Sequence, residues 1–160
     1  MTKKLFIVMI VCVFSLLFIS AGNTFAQSRK AVGAPEVTGI FRAYLSGTKG
    51  LYDEIKILSA GRGRLKISFD LVYPFVDGTG QMSANMGTAA GEAAIAGDTA
   101  VYSSTEFGQC KITIKFVKPG QIKVMQNGSD VECGFGANVS ANGTYKKVSG
   151  AKPKFESAKK

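Results

Sequence analysis

Histidine does not occur anywhere in the 160 residues. Its absence removes Ser-His-Asp and Cys-His activation of a nucleophile, and every zinc site that needs imidazole. No C-x-x-C pair and no D-x-D-x-D-G run occurs either, so a redox dithiol and an EF-hand calcium loop lack their residues. Asp77-Gly-Thr-Gly80 has the D-T-G letters of an aspartic protease in altered order, and a turn between strands explains Asp-Gly better. The adjacent acids Asp53 and Glu54 point to opposite faces of a strand, which rules out a catalytic dyad there. No catalytic residue, metal or cofactor is therefore expected, and no enzymatic activity. The chain also lacks an amphipathic helix of convincing length and any internal repeat.

The first 26 residues have the three parts of an export signal. Lys3 and Lys4 form the positive start, Leu5 to Ile19 are almost wholly apolar, and Ser20 to Ala26 turn small and polar. Thr24 and Ala26 fit the small positions before a cleavage site at Gln27. The apolar run is about fifteen residues, short of the roughly twenty that span a bilayer. Cys12 lies inside it and leaves with the signal. The expected location is periplasmic or secreted.

Two cysteines then remain, Cys110 and Cys133. An even count in an exported chain predicts a disulfide, and a loop of about two dozen residues makes it worth roughly 3 kcal/mol. Free thiols would need a reducing compartment, and half a metal site would need further ligands.

Net charge is +9. Without the signal, 18 basic residues face 11 acidic ones. The stretch Lys146 to Lys160 holds six lysines and only Glu156, which leaves the body from Gln27 to Tyr145 at +2. Most of the excess thus sits on a solvated tail, with Lys152, Lys154, Lys159 and Lys160 as candidate contacts to an anionic surface. A basic folded face is not indicated, and nucleic acid is disfavoured as a partner.

From Thr38 onward the text is short alternating runs punctuated by glycine, an all-β pattern. Strands are expected at Thr38–Leu45, Tyr52–Ala60, Arg64–Tyr73, Gly91–Ala96, Thr99–Ser104, Cys110–Val117, Gln121–Gln126 and Thr144–Val148. Gly61-Arg-Gly63 and Gly97-Asp98 read as hairpin turns. Pro74 to Ala90, poor in strand formers, is expected to be a long connection. Eight antiparallel strands close readily into a small barrel, with a β-sandwich as the alternative. Strands this short, with lysines at outward positions, do not suit a transmembrane barrel. The domain plan is a signal at 1–26, a polar lead at 27–36, one β domain at 37–148 and a basic disordered tail at 149–160.

The most distinctive text is Gly91-Glu-Ala-Ala-Ile-Ala-Gly-Asp-Thr-Ala-Val-Tyr102, Cys110-Lys-Ile-Thr-Ile-Lys-Phe116, Ile122-Lys-Val124, and Cys133-Gly-Phe-Gly-Ala-Asn-Val139 leading to Gly143-Thr-Tyr145. It resembles a small exported bacterial β domain found alone in uncharacterised proteins, and is similar to a module found beside secreted lysozyme-inhibitor proteins. The resemblance covers about residues 91–147. It implies an envelope location and a protein partner, and supplies no catalytic residues. Physically, Gly134 and Gly136 let the backbone bend around Phe135, which can plug one barrel end beside the disulfide.

Four functional expectations follow. The first is a non-enzymatic binding or inhibitory module of the cell envelope, with Met82, Asn85 and Met86 on a loop as candidate contacts. A lysozyme-inhibitor-like role is a version of it, although many lysozymes are basic and would repel a chain at +7. Attachment to an anionic surface through the lysine tail is the second. A lipocalin-like carrier of a small apolar ligand is the third, and an enzyme comes last.

Overall fold

The computed structural model describes residues 31–155. The expected signal at 1–26, the start of the polar lead, and Lys159 and Lys160 lie outside them. The strands are β1 (Gly39–Tyr44), β2 (Tyr52–Gly61), β3 (Arg64–Val76), β4 (Met82–Ala96), β5 (Thr99–Ser104), β6 (Cys110–Lys118), β7 (Gln121–Asn127) and β8 (Gly143–Ser149), after one helical turn, α1 (Ala34–Val37). Each strand pairs antiparallel with the next, and β8 returns to β1, so the sheet closes as a barrel. The sandwich is set aside. Cys110 and Cys133 form the disulfide.

Side-chain alternation builds the core directly. Leu65, Ile67, Phe69 and Leu71 of β3 are buried, as are Cys110, Ile112, Ile114 and Phe116 of β6. A one-residue slip in either strand would turn these rows outward, which is what pins the register. The inward rings meet edge-on, Phe41 with Phe116 at 6.4 Å and Phe69 with Tyr102 at 5.4 Å between centroids. Tyr145 is fully buried and its hydroxyl donates to the Ala141 carbonyl at 3.0 Å, so this buried polar tip is satisfied.

The barrel has two unlike ends. At the proximal end lie α1, the β2–β3, β4–β5 and β6–β7 turns, and the exit of β8. Pro35 in the first turn suits a helix start, and the Lys147 ammonium donates to the carbonyls of Pro35, Glu36 and Thr38 at 3.0, 2.6 and 2.9 Å. The lead therefore ends as a lysine-capped turn held against the barrel. At the distal end lie the β1–β2, β3–β4 and β5–β6 connections, and residues 128–142 between β7 and β8.

Two expectations need correction. The stretch 74–90 is not a long connection: β3 runs on to Val76, and β4 begins at Met82, directly paired with it. Pro74 is tolerated because β2 pairs with β3 only as far as Asp70, leaving the proline on an edge. The tail is also not free throughout. Strand β8 includes Ser149, Pro153 is buried, and the Lys66 ammonium lies 4.8 Å from the centre of the Phe155 ring.

Candidate binding surface

The β3–β4 hairpin outruns its neighbours. Strand β5 joins β4 only from Ala93 onward, so 72–76 and 82–86 form an arm beyond the paired barrel wall. Its register places Val72 opposite Met86, Pro74 opposite Ala84, and Val76 opposite Met82. All six are apolar and share one face, because residues two apart on a strand point the same way. Val76, Met82 and Met86 are 61, 62 and 56 % exposed. The arm is held at its tip by Asp77, whose carboxylate accepts from the Thr79 and Gln81 amides and the Thr79 hydroxyl. Those bonds, the hydroxyl's first, hold the Asp77 pKa below the ordinary value.

The expected loop contacts are thus strand residues, and they divide. Met82 and Met86 are exposed on the apolar face. Asn85 lies on the other face, where its Nδ2 donates to the Ala137 carbonyl at 2.7 Å. It fastens residues 128–142 to the arm. In that segment Phe135 is buried, bridges to Gly87 and meets the Phe69 ring at 6.5 Å. Gly134 has φ +72°, in the left-handed region that favours glycine. A Cβ on Gly136 would fall 2.7 Å from the Met86 carbonyl oxygen, so close backbone approach excludes a side chain there. The text 133–139 folds as a plug in the distal end.

Exposed apolar side chains are unevenly placed. Eleven large ones are exposed among the described residues, and eight belong to the distal end: Tyr44, Leu51, Tyr73, Val76, Met82, Met86, Phe107 and Val131. Single exposed apolar residues are ordinary, whereas a cluster marks an interaction surface. Charge follows the same axis. The distal half carries Asp53, Glu54, Asp70, Asp77, Glu106, Asp130 and Glu132 against Arg42, Lys49 and Lys111. The proximal half reverses this, with ten basic residues against Glu36, Glu92 and Asp98, and Lys56 lies at the waist. Lys152 and Lys154 belong to that basic half and are exposed.

The buried acids are structural in their contacts. Glu54 faces outward and accepts from the Arg42 guanidinium at 2.7 Å; Asp53 faces inward and accepts from the Val72 amide at 2.9 Å. Burial raises the Asp53 pKa, the Val72 bond opposes that, and Asp70 adds to the rise. Burial, with Asp53 adding to it, also pushes the Tyr145 phenol up. For Asp53 the folded state holds the proton more tightly than the unfolded chain does. Its contribution therefore favours folding in acid and is lost as pH rises from 3.8 through the raised value. Asp53→Asn keeps an oxygen for the Val72 amide and removes the charge. Urea melts are expected to show the variant more stable than wild type at neutral pH, with the two converging below pH 3.8. A gap independent of pH would exclude this account.

No group of three or more His, Cys, Asp or Glu residues suited to holding a metal occurs among the described residues, and none of their helices is long and apolar enough to cross a membrane. The inward side chains fill the barrel against one another. A shallow groove of about 320 Å³ runs outside it, between Lys56, Lys66, Asp70, Thr88 and Phe155. Comparison with protein-family models, curated proteins and solved structures finds no match to this chain.

Proposed function

We propose that this chain is an exported, non-enzymatic binding module that engages a protein of the bacterial cell envelope through its distal end. The observation that supports it is that eight of the large exposed apolar side chains lie at the distal end, four of them on an arm that extends past the paired barrel wall. The hydrogen-bonded β arm presents four of them, Tyr73, Val76, Met82 and Met86, on backbone already ordered by pairing, which favours affinity. The plug and the Asp77 turn hold it in place.

The test is a photo-crosslinking residue at Met86, with one at Arg64 on the proximal half as a control, in producing cells. A discrete adduct is expected from the first position only. Met82→Ser with Met86→Ser, both solvent-facing, should weaken association with the adduct protein at least about tenfold while leaving the melting temperature near wild type. Adducts equal at both positions would end this reading.

The lysozyme-inhibitor-like version gains support from one observation, the acidic excess of the distal half. A basic partner approaching that end meets complementary charge, although the whole chain is basic. Inhibition of lysozyme by micromolar protein, lost with Met82→Ser and Met86→Ser, is the expected result. Unaffected lysozyme would discard this version and leave the general reading standing.

A further inference from the structure

We infer that the outer face of β6, β7 and β8 is a docking surface for anionic phospholipid headgroups. The three strands contain no Asp or Glu. Their exposed lysines are Lys111, Lys115, Lys118, Lys123 and Lys146, while Phe116 and Tyr145 point inward and are buried. Asp98, from the β4–β5 turn, reaches Lys115 at 3.9 Å.

The register gives a second, independent observation. Lys115 stands directly opposite Lys123, and like charges in facing positions of a sheet oppose folding. Asp98 balances part of that repulsion from the Lys115 side, and a lysine-for-phosphate contact would offset the rest. The remaining exposed large apolar residues, Val117, Met125 and Val148, are 46, 51 and 45 % exposed and belong to these same strands. Lysines interspersed with short apolar side chains match a bilayer interface, where the ammonium groups meet phosphate and the apolar tips enter the headgroup layer.

The alternative polyanion, a nucleic acid, fits less well. Recognition of single strands uses exposed aromatic rings for stacking, and base reading favours planar arginine. This face offers neither. The inference is separate from the distal-end reading and uses none of its apolar contact residues; of its lysines, Lys111 alone lies in the distal half. Docked by this face, the barrel would lie along the membrane with the arm projecting beside it.

The test is vesicle flotation with protein purified in the form the producing cell accumulates. Vesicles are phosphatidylcholine alone or mixed with phosphatidylglycerol. Binding is expected only to the mixed vesicles, falling steeply between about 50 and 200 mM salt. Lys115→Gln, Lys123→Gln and Lys146→Gln together should weaken it at least about tenfold. Lys123→Gln alone, which relieves the repulsion and keeps the Lys115–Asp98 contact, should meanwhile melt about 1–4 °C above wild type, and the triple variant should melt near wild type, so lost binding cannot be ascribed to lost folding. Lys152→Gln with Lys154→Gln should retain most of the binding. The inference is overturned by undiminished binding of the triple variant or equal binding to neutral vesicles. It is equally overturned by a lowered melting temperature of Lys123→Gln, loss of binding with the tail variant alone, or tighter binding to single-stranded DNA than to the mixed vesicles.

Discussion

Phe135→Ala is expected to lower the stability of the barrel by about 3–5 kcal/mol, the range for emptying a buried phenylalanine site. The ring is 5 % exposed and packs edge-on to Phe69, itself part of the inward row of β3. The site is poorly able to collapse around the void, because its other wall is Gly87, which has no side chain to move. That wall gives a converse test. A Cβ on Gly87 would lie 2.7 Å from Val139 Cγ1 and 2.9 Å from Phe135 Cδ1. Gly87→Ala should therefore destabilise by overpacking, about 1–3 kcal/mol, and Val139→Ala added to it should restore part of the loss. Non-additivity of this sign is the mark of two groups competing for one space. Urea denaturation of the four proteins measures it. A Phe135→Ala cost below about 1 kcal/mol, within the ordinary range for a point substitution, would mean that 128–142 merely lies over the barrel.

Gly87 also shows where sequence reading succeeds and where it stops. Strands β2, β3 and β5 to β8 are legible because Ile, Val, Leu and Phe alternate with Lys, Ser and Thr, and burial of one side is enough to fix both type and register. The half of β4 from Met82 to Ala90 is not legible by that rule. Its inward positions are Gly87 and Ala89, small because the plug and neighbouring rings take the space, and small residues read as looseness when their neighbours in space are unknown. The strand is imposed by thirteen consecutive pairings with β3. The arm's apolar face was hidden for the same reason: Val72, Pro74 and Val76 look like a strand running out, and only pairing sets them beside Met86, Ala84 and Met82.

The lysine face illustrates a different loss. The stretch 110–127 has four lysines and no acid, a local excess that the acids elsewhere in the body largely cancel in its net charge. What the linear order could not supply is that β8 closes against β7, which adds Lys146 to the same surface, or that Lys115 and Lys123 face one another. Cys110 and Cys133, by contrast, were legible as a disulfide from their even count and an expected export signal, and Phe135 as a plug from the glycines on either side of it.

Cys110→Ala with Cys133→Ala is expected to cost about 3 kcal/mol, from the 23-residue separation the bond spans, and to lower the melting temperature by roughly 10 °C. Where that loss appears follows from how 128–142 is bonded. Much of its hydrogen bonding is internal: the Phe135 amide donates to the Asp130 carbonyl at 2.8 Å, the Asn138 amide to the Asp130 carboxylate at 2.7 Å, and the Ser129 amide to Glu132 at 2.7 Å. Its ties to β4 are fewer, chiefly the Gly136 amide to the Met86 carbonyl and Asn85 to the Ala137 carbonyl. Without the covalent link the segment keeps its local turns, but its seating becomes an equilibrium. Hydrogen exchange should therefore accelerate first at Gly136, well before the amides of Ile55 and Ile67 in the barrel wall. Because the same two bonds brace the arm behind Met82 and Met86, partner association at the distal end should weaken in parallel. Binding to anionic vesicles, which uses β6 to β8, should hold. Melting temperatures within about 2 °C for oxidised and cysteine-free protein, well under the shift that 3 kcal/mol implies, would show that the plug stays seated without the bond, and that the arm is braced by packing of Phe135 alone.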